Sequence, residues 1–240
     1  MQRLRGKTYL EDGAITQGDL EYDGRHRQAA DLDSWHVLSV DAWDRVSGCA
    51  RYRHYVEPVR FTGLGVSKAA LARCTQWGDK LRTAVIDQIQ EACYRGLNFV
   101  EVGGWALSEE LRHSTDALRV AMSMYALAQL LGGCIGLTTA TVRHGSCSIL
   151  RKIGGTSLVA DGVELPRYYD PQYRCDMEIL RFDSARPNER CRAMIEAARQ
   201  ELAAAEIVTS VPALVPAVVA SGEMHVAAHG RMLEPAAILT

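Results

Sequence analysis

Glu101 stands inside a short apolar run made by Phe99, Val100 and Val102, which reads as a buried strand. A carboxylate among such neighbours is costly to desolvate unless it is paired or given a task, and the tasks open to it are those of a base or an amine binder. The structural alternatives are a solvent-facing strand residue or an ion pair with Arg51. Gly103 and Gly104 follow at once and suit a bulge or a close backbone approach. Beyond them lies Arg112, then Ser114 or Thr115 as a helix N-cap. Leu118, Met122 and Tyr125 recur at helical spacing until Gly132-Gly133. A strand-to-helix junction leaves backbone N–H groups free for anions, the phosphates of a carrier arm among them. Arg112 opposes the helix dipole there unless an anion intervenes, so it is either a phosphate ligand or the cap of a solvated helix end. His144 and Cys147, three residues apart across a second junction, raise the separate idea of a Cys-His nucleophile, against an inert thiol beside a surface histidine. The same pair lacks companions for a zinc site, so no metal is expected.

The elements that must position these residues alternate along the chain. Residues 1–34 are polar and rich in turn signals, a segment that wraps a core more than it builds one. His36 to Val40 and Val46 to Tyr52 read as a hairpin around Asp41–Asp44. Residues 53–80 have no sustained period, although Lys68 to Arg73 looks helical. Leu81 to Arg95 places Val85, Ile89 and Ala92 on one helical face. After the Glu101 strand and its helix come a strand at Cys134 to Ala140, a short helix at Ser146 to Ile153, a strand at Cys175 to Phe182, and a helix at Asn188 to Ala205. The opening hairpin is antiparallel, so the sheet should be mixed. Residues 1–205 form one expected domain, and 206–240, rich in Ala, Val and Pro, a mobile tail or an element that docks on a partner subunit. The glycines form neither a dinucleotide fingerprint nor a P-loop.

With 240 residues, 48% of them hydrophobic, the chain can bury a substantial core. Its 27 basic and 29 acidic residues give no global field for nucleic acid. No apolar run reaches the roughly 18 residues of a membrane span and no secretory core follows Met1, so the expected location is cytoplasmic. Seven irregularly spaced cysteines read as reduced thiols.

Taken in order, Leu4-Arg5-Gly-Lys-Thr-Tyr9, the acidic residues Asp31 and Asp33, Val46-Ser-Gly-Cys-Ala-Arg51, Glu101-Val-Gly-Gly-Trp105, Arg112 before a long helix and Leu150-Arg-Lys-Ile-Gly154 resemble the GNAT acyltransferase superfamily over roughly residues 3–185. Within it the chain looks most like the branch of N-acyl amino acid synthases and acyl-homoserine lactone synthases. The resemblance implies an α/β fold (α+β in its mixed, twisted sheet flanked by helices) and transfer of an acyl group from a pantetheine thioester to an amine. It implies that Glu101 activates the amine, whose ammonium form has no lone pair until a proton is removed. It also implies that the strand backbone around Gly103 and Gly104 polarises the thioester, and that Arg112, Ser114 and Thr115 meet its phosphate. Arg51 then either binds the acceptor's carboxylate or forms a structural pair, and Asp31 and Asp33 either touch its amine or are turn residues. Trp105 lines the acyl channel or belongs to the core.

Four departures shape the expectation. Thr115 and Asp116 replace the small residues of the phosphate loop in acyl-CoA users, which favours acyl carrier protein as donor, with Arg143, Arg151 and Lys152 as a docking cluster for its acidic surface. Gly104 stands where autoinducer synthases usually carry arginine, which weighs against S-adenosylmethionine. Leu150 stands where many relatives place a tyrosine acid, so either the thiolate leaves without help or Tyr168, Tyr169 or Tyr173 stands in. Met1 begins almost on the first motif, so the leading helix that often covers the acyl pocket should be absent or shortened. The expected function is N-acylation of an amino acid or related small-molecule amine by a medium or long acyl chain, with the thioester a co-substrate and no bound cofactor. The alternatives are an acyl-homoserine lactone synthase and a catalytically silent acyl-binding protein.

Overall fold

The protein, seen in a computed structural model, is described over residues 1–56, 59–112, 114–208 and 236–239, the last four as backbone, and without the side chains of Asp116 and His144. A ten-residue helix, α1 (Gln2–Glu11), comes first and carries the motif Leu4–Tyr9. No apolar period announces it, because its buried residues are Arg5, Gly6 and Thr8. Strands β1 (Trp35–Val40) and β2 (Val46–Tyr55) form the expected hairpin. Asp41 sets the turn, accepting hydrogen bonds from the N–H groups of Trp43 and Arg45 at 2.9 and 3.0 Å.

Helix α2 (Gly78–Tyr94) buries Leu81, Ala84, Val85, Ile89 and Ala92 as one stripe. Then come β3 (Asn98–Leu107), α3 (Thr115–Leu130), β4 (Cys134–Thr141) and α4 (Ser146–Ile153). Four short strands, β5 (Thr156–Ser157), β6 (Val159–Ala160), β7 (Val163–Glu164) and β8 (Tyr168–Asp170), lead to β9 (Cys175–Asp183) and α5 (Arg192–Ala204). The main sheet runs β10-β11-β1-β2-β3-β4-β9-β5, with β8 also on β9, where β10 is Ile207–Val208 and β11 Ala236–Leu239. Two neighbouring pairs, β1 with β11 and β3 with β4, are parallel, so the sheet is mixed as expected. Both ends of the expected tail thus form strands at the sheet edge, and residues 209–235 of it lie outside the described residues.

Each face of the sheet carries a core. On one, Leu81, Val85 and Ile89 of α2 pack on Phe99, Ile135 and Leu137. On the other, α3, apolar nearly all round, lies between the sheet and Ile195, Ala198 and Leu202 of α5. Between the two cores the sheet opens. Strand β3 pairs with β4 only from Asn98 to Glu101, opposite Cys134 to Leu137, yet both strands continue, β3 along β2 and β4 along β9. The cause lies in β3, where Gly104 and Trp105 together oppose Ala50 of β2. Such a bulge bends its strand, and Gly104 supplies the left-handed φ of 63° that it uses. The sequence placed a bulge or close backbone approach at Gly103-Gly104, and the strand, read from the sequence only as far as Val102, runs on through it to Leu107.

Candidate active site

A cavity of about 750 Å³ threads this gap in the sheet. Val66, Leu137 and Met177 of the α2-side core and Ala121, Met124, Tyr125 and Phe182 of the α3-side core all contribute to its wall, so it reaches both faces. Its polar chamber, on the α2 side, holds Gln28, Asp33, Arg51, Arg53, Lys68 and Glu101. Gly103, Gly104 and Trp105 of β3 and Thr138 to Thr141 of β4 form the neck. Along that neck the peptide groups of β3 that face β4 have no ladder partner. They are available to a carbonyl oxygen.

Glu101 sits where the strands part. Its Oε1 accepts the Val66 N–H at 2.7 Å, and its Oε2 accepts the Gly65 N–H at 2.7 Å and the Tyr55 hydroxyl. A carboxylate has about four acceptor positions, so three are filled and about one faces the cavity. Burial, with the Glu101 charge and hydrogen bond behind it, pushes the Tyr55 hydroxyl above its ordinary pKa and keeps it a donor. Glu101 pairs with neither solvent alone nor Arg51. The three donors come from β2 and from residues 53–80, the stretch without a sequence period, and nothing in the sequence pointed to them.

Arg51 presents its side chain to the cavity opposite Gly103, but its Nη1 is held by Gln28 Oε1 at 2.5 Å and Asp31 Oδ1 at 3.1 Å. Asp31 lies behind it, away from the cavity wall, with its side chain 4% exposed. Both its oxygens meet Arg5, at 2.8 and 2.6 Å, while Gln2 and the Gln28 N–H add further bonds. Burial alone would push the Asp31 carboxyl upward, and Arg5 more than offsets this and holds it well below the usual carboxylate range. The structure therefore places Asp31 as the anchor between α1 and Arg51, out of reach of an acceptor amine, and leaves Asp33 on the cavity wall. Trp105 lines the cavity while packing on the α3-side core.

The junction ahead of α3 departs from expectation. Arg112 approaches Glu11 and Asp12 at 3.7 Å each, and the Ser114 hydroxyl bonds the Leu111 carbonyl at 2.8 Å. Neither residue, nor Thr115, lines the cavity. Arg143, expected at a docking surface, instead lines the cavity, its Nη2 donating to the carbonyls of Asp12 at 2.6 Å and Tyr173 at 3.3 Å. Arg151 remains at the surface but grips buried Glu178 through Nε at 2.9 Å and Nη2 at 2.5 Å. Arg167 joins the same carboxylate, and with Lys152 these cations rim a surface hollow. Arg167 was missed because it lies fifteen residues beyond Lys152 in sequence. Cys147 is buried beneath them, and burial together with Glu178 pushes its thiol above the ordinary value, which disfavours the thiolate a nucleophile needs. The side chain of His144 lies outside the described residues. Of the three candidate tyrosines, Tyr173 lines the cavity, whereas Tyr168 is buried in the α2-side core and Tyr169 is exposed. Among the described residues no group of three or more His, Cys, Asp or Glu could hold a metal ion, and no helix is long and apolar enough to cross a membrane.

No protein-family model matches the sequence, and no curated protein sequence does. Solved structures do match. A CoA-dependent acyl-homoserine lactone synthase, BjaI, solved with SAM and isopentyl-CoA, superposes at a TM-score of 0.52 and 14% identity over 83% of this chain and 78% of its own. FeeM, an N-acyl amino acid synthase from uncultured soil microbes, gives 0.39 at 10% identity over 59% of this chain and 63% of its own. A mosquito arylalkylamine N-acetyltransferase-like protein gives 0.36 at 16% identity over 59% and 70%. The chain therefore shares its fold with the lactone synthase over most of both chains, a mixed sheet flanked by helices as the sequence led us to expect.

Proposed function

We propose that this protein is an N-acyltransferase that moves an acyl chain from a pantetheine thioester to the amine of an amino acid, giving an N-acyl amino acid. The observation that carries this reading is a single cavity through the sheet, polar on one face and apolar on the other, with Glu101 at the neck. A molecule with a charged head and a fatty tail fits such a cavity, and the bond joining head to tail falls at the neck. The acceptor's ammonium occupies the open acceptor position of Glu101 and loses a proton there, directly or through water. The freed amine attacks the thioester carbon, whose oxygen faces unpaired β3 amides near Gly103 and Gly104, a contribution of about 3–4 kcal/mol for one well-placed donor. The tetrahedral intermediate then collapses to the amide as the C–S bond breaks, and Tyr173, on the cavity wall, gives its proton to the departing thiolate and takes up the second proton that the attacking nitrogen must lose. Its hydroxyl, raised by burial, is a neutral acid at working pH.

Acyl carrier protein is the proposed donor, docking on Arg151, Lys152 and Arg167, with Arg143 now inside the site. Mass spectrometry of lipid extracts from cells expressing the chain tests the function. An acyl amino acid supports it, an acyl lactone places the chain with the autoinducer synthases, and no new lipid makes it an acyl-binding protein without turnover.

A further inference from the structure

Among the charged side chains on the cavity wall, Arg51 and Arg143 are occupied by neighbours within the chain, whereas Arg53 and Lys68 have no ion pair or side-chain hydrogen bond to a described residue. Both stand beside Glu101 by construction. Arg53 is its cross-strand partner in the β2–β3 register. Its guanidinium lies 4.8 Å from the centroid of the Tyr55 ring, whose hydroxyl donates to Glu101. Lys68 closes the single turn Val66–Lys68 that begins beside the two N–H groups bound to Glu101. Glu101 accepts three neutral donors, and no ion pair joins it to either cation. Two cations without an ion pair among the described residues, next to a carboxylate that keeps one open acceptor position, are the complement of a zwitterion.

We infer that Arg53 and Lys68 hold the acceptor's carboxylate while Glu101 takes its ammonium, so that the acceptor is an amino acid of zero or negative net charge. A sulfonium-bearing acceptor would bring a third cation to these two. Guanidinium geometry suits a carboxylate, and the Tyr55 ring beneath Arg53 supports its side chain by a cation–π contact. This assignment rests on the N-acyltransferase reading, and it moves the carboxylate from Arg51, where the family pattern would put it, to the next outward-facing position on the same strand.

The test uses the full-length protein with a decanoyl-pantetheine thioester and records release of free thiol. The twenty amino acids are screened first. The best is then compared with its carboxamide, its decarboxylated amine and S-adenosylmethionine. The expected result is a loss of about 100-fold in kcat/KM for the carboxamide and the amine, the scale of losing a charge-assisted contact at a site built for it. Arg53→Gln and Lys68→Gln should each raise the acid's KM by about 10-fold or more, shift the donor's KM far less, and narrow the gap between the acid and its carboxamide. Arg53→Lys should recover part of the loss. Equal use of acid and carboxamide, a preference for S-adenosylmethionine, or discrimination lost through Arg51→Gln alone would each overturn the assignment. Should no amine be acylated, the N-acyltransferase reading falls separately. Calorimetry with the same amino acids and carboxamides then decides the carboxylate site: binding of acids that Arg53→Gln and Lys68→Gln abolish supports it, and no binding overturns it.

Discussion

Replacing Glu101 with Gln separates what this carboxylate does for catalysis from what it does for the fold. The amide oxygen can take the Oε2 position, keeping the Gly65 N–H and the Tyr55 hydroxyl, but the amide nitrogen then faces the Val66 N–H that Oε1 now accepts at 2.7 Å. One hydrogen bond to a charged acceptor is lost and a donor is turned on a donor, a cost of about 1.5–3 kcal/mol. For a chain of this size that lowers the melting temperature by roughly 3–10 °C. Catalysis should fall much further, by about two to four orders of magnitude, since the amide can neither attract the ammonium nor accept its proton. Free-thiol release at saturating donor and acceptor, set beside a melting curve at the same pH, reads both effects. A variant with lowered melting temperature and undiminished turnover would show that Glu101 only pins residues 65 and 66. Unchanged values in both assays would refute the hydrogen-bond geometry as well.

Other expectations follow from the same contacts. Asp31→Asn leaves Arg5 and Arg51 facing a neutral group in a buried site and should cost about 3–5 kcal/mol in denaturant unfolding; a loss under 1 kcal/mol would remove Asp31 as the anchor of α1. Burial lowers the His36 pKa from 6.5 to about 4, so the fold holds it neutral while the unfolded chain binds a proton. Stability present above pH 6.5 should therefore decline as pH falls toward 4, by up to about 3 kcal/mol, and melting curves of His36→Gln should lack that portion of the slope. Tyr125 lines the apolar chamber with a buried hydroxyl that has no hydrogen-bond partner among the described residues, so Tyr125→Phe should raise stability by about 1 kcal/mol, and a lowered melting temperature would contradict this. If carrier protein is the donor, charge reversal at Lys152 and Arg167 should lower kcat/KM with acyl carrier protein at low salt and spare the acyl-CoA reaction, whereas equal harm to both would discard the docking face.

Much of the scaffold was legible because periodicity and glycines marked it. The stripe of α2, the limits of α4 at Ser146 and Gly154, and the β1–β2 hairpin all follow from local pattern. So did the placing of Glu101, Gly103 and Gly104 at one locus. Helix α1 was not legible, because a buried Arg5 bound to Asp31 carries no hydrophobic signature and the two are twenty-six residues apart. The partners of Glu101 were hidden for a related reason: two of them are backbone N–H groups, which every sequence offers everywhere. Arg53 could have been found, since alternation in a strand puts it on the same face as Arg51. Arg112 misled because a cation before a helix suggests phosphate, and here acidic residues at the end of α1 approach it.

The parting of β3 from β4 also creates two strand edges in the interior of a sheet. An outer edge invites pairing by another chain and so threatens aggregation, but an edge turned inward across a narrow gap admits only something slim. The molecule best shaped to fill it is extended and carries amide groups of its own, so that it completes the interrupted ladder as a strand would. Binding of such an occupant is then a late step of sheet formation, and it should protect the amides of Gly103 to Leu107 and Thr138 to Thr141 from hydrogen exchange more than those of any surface loop.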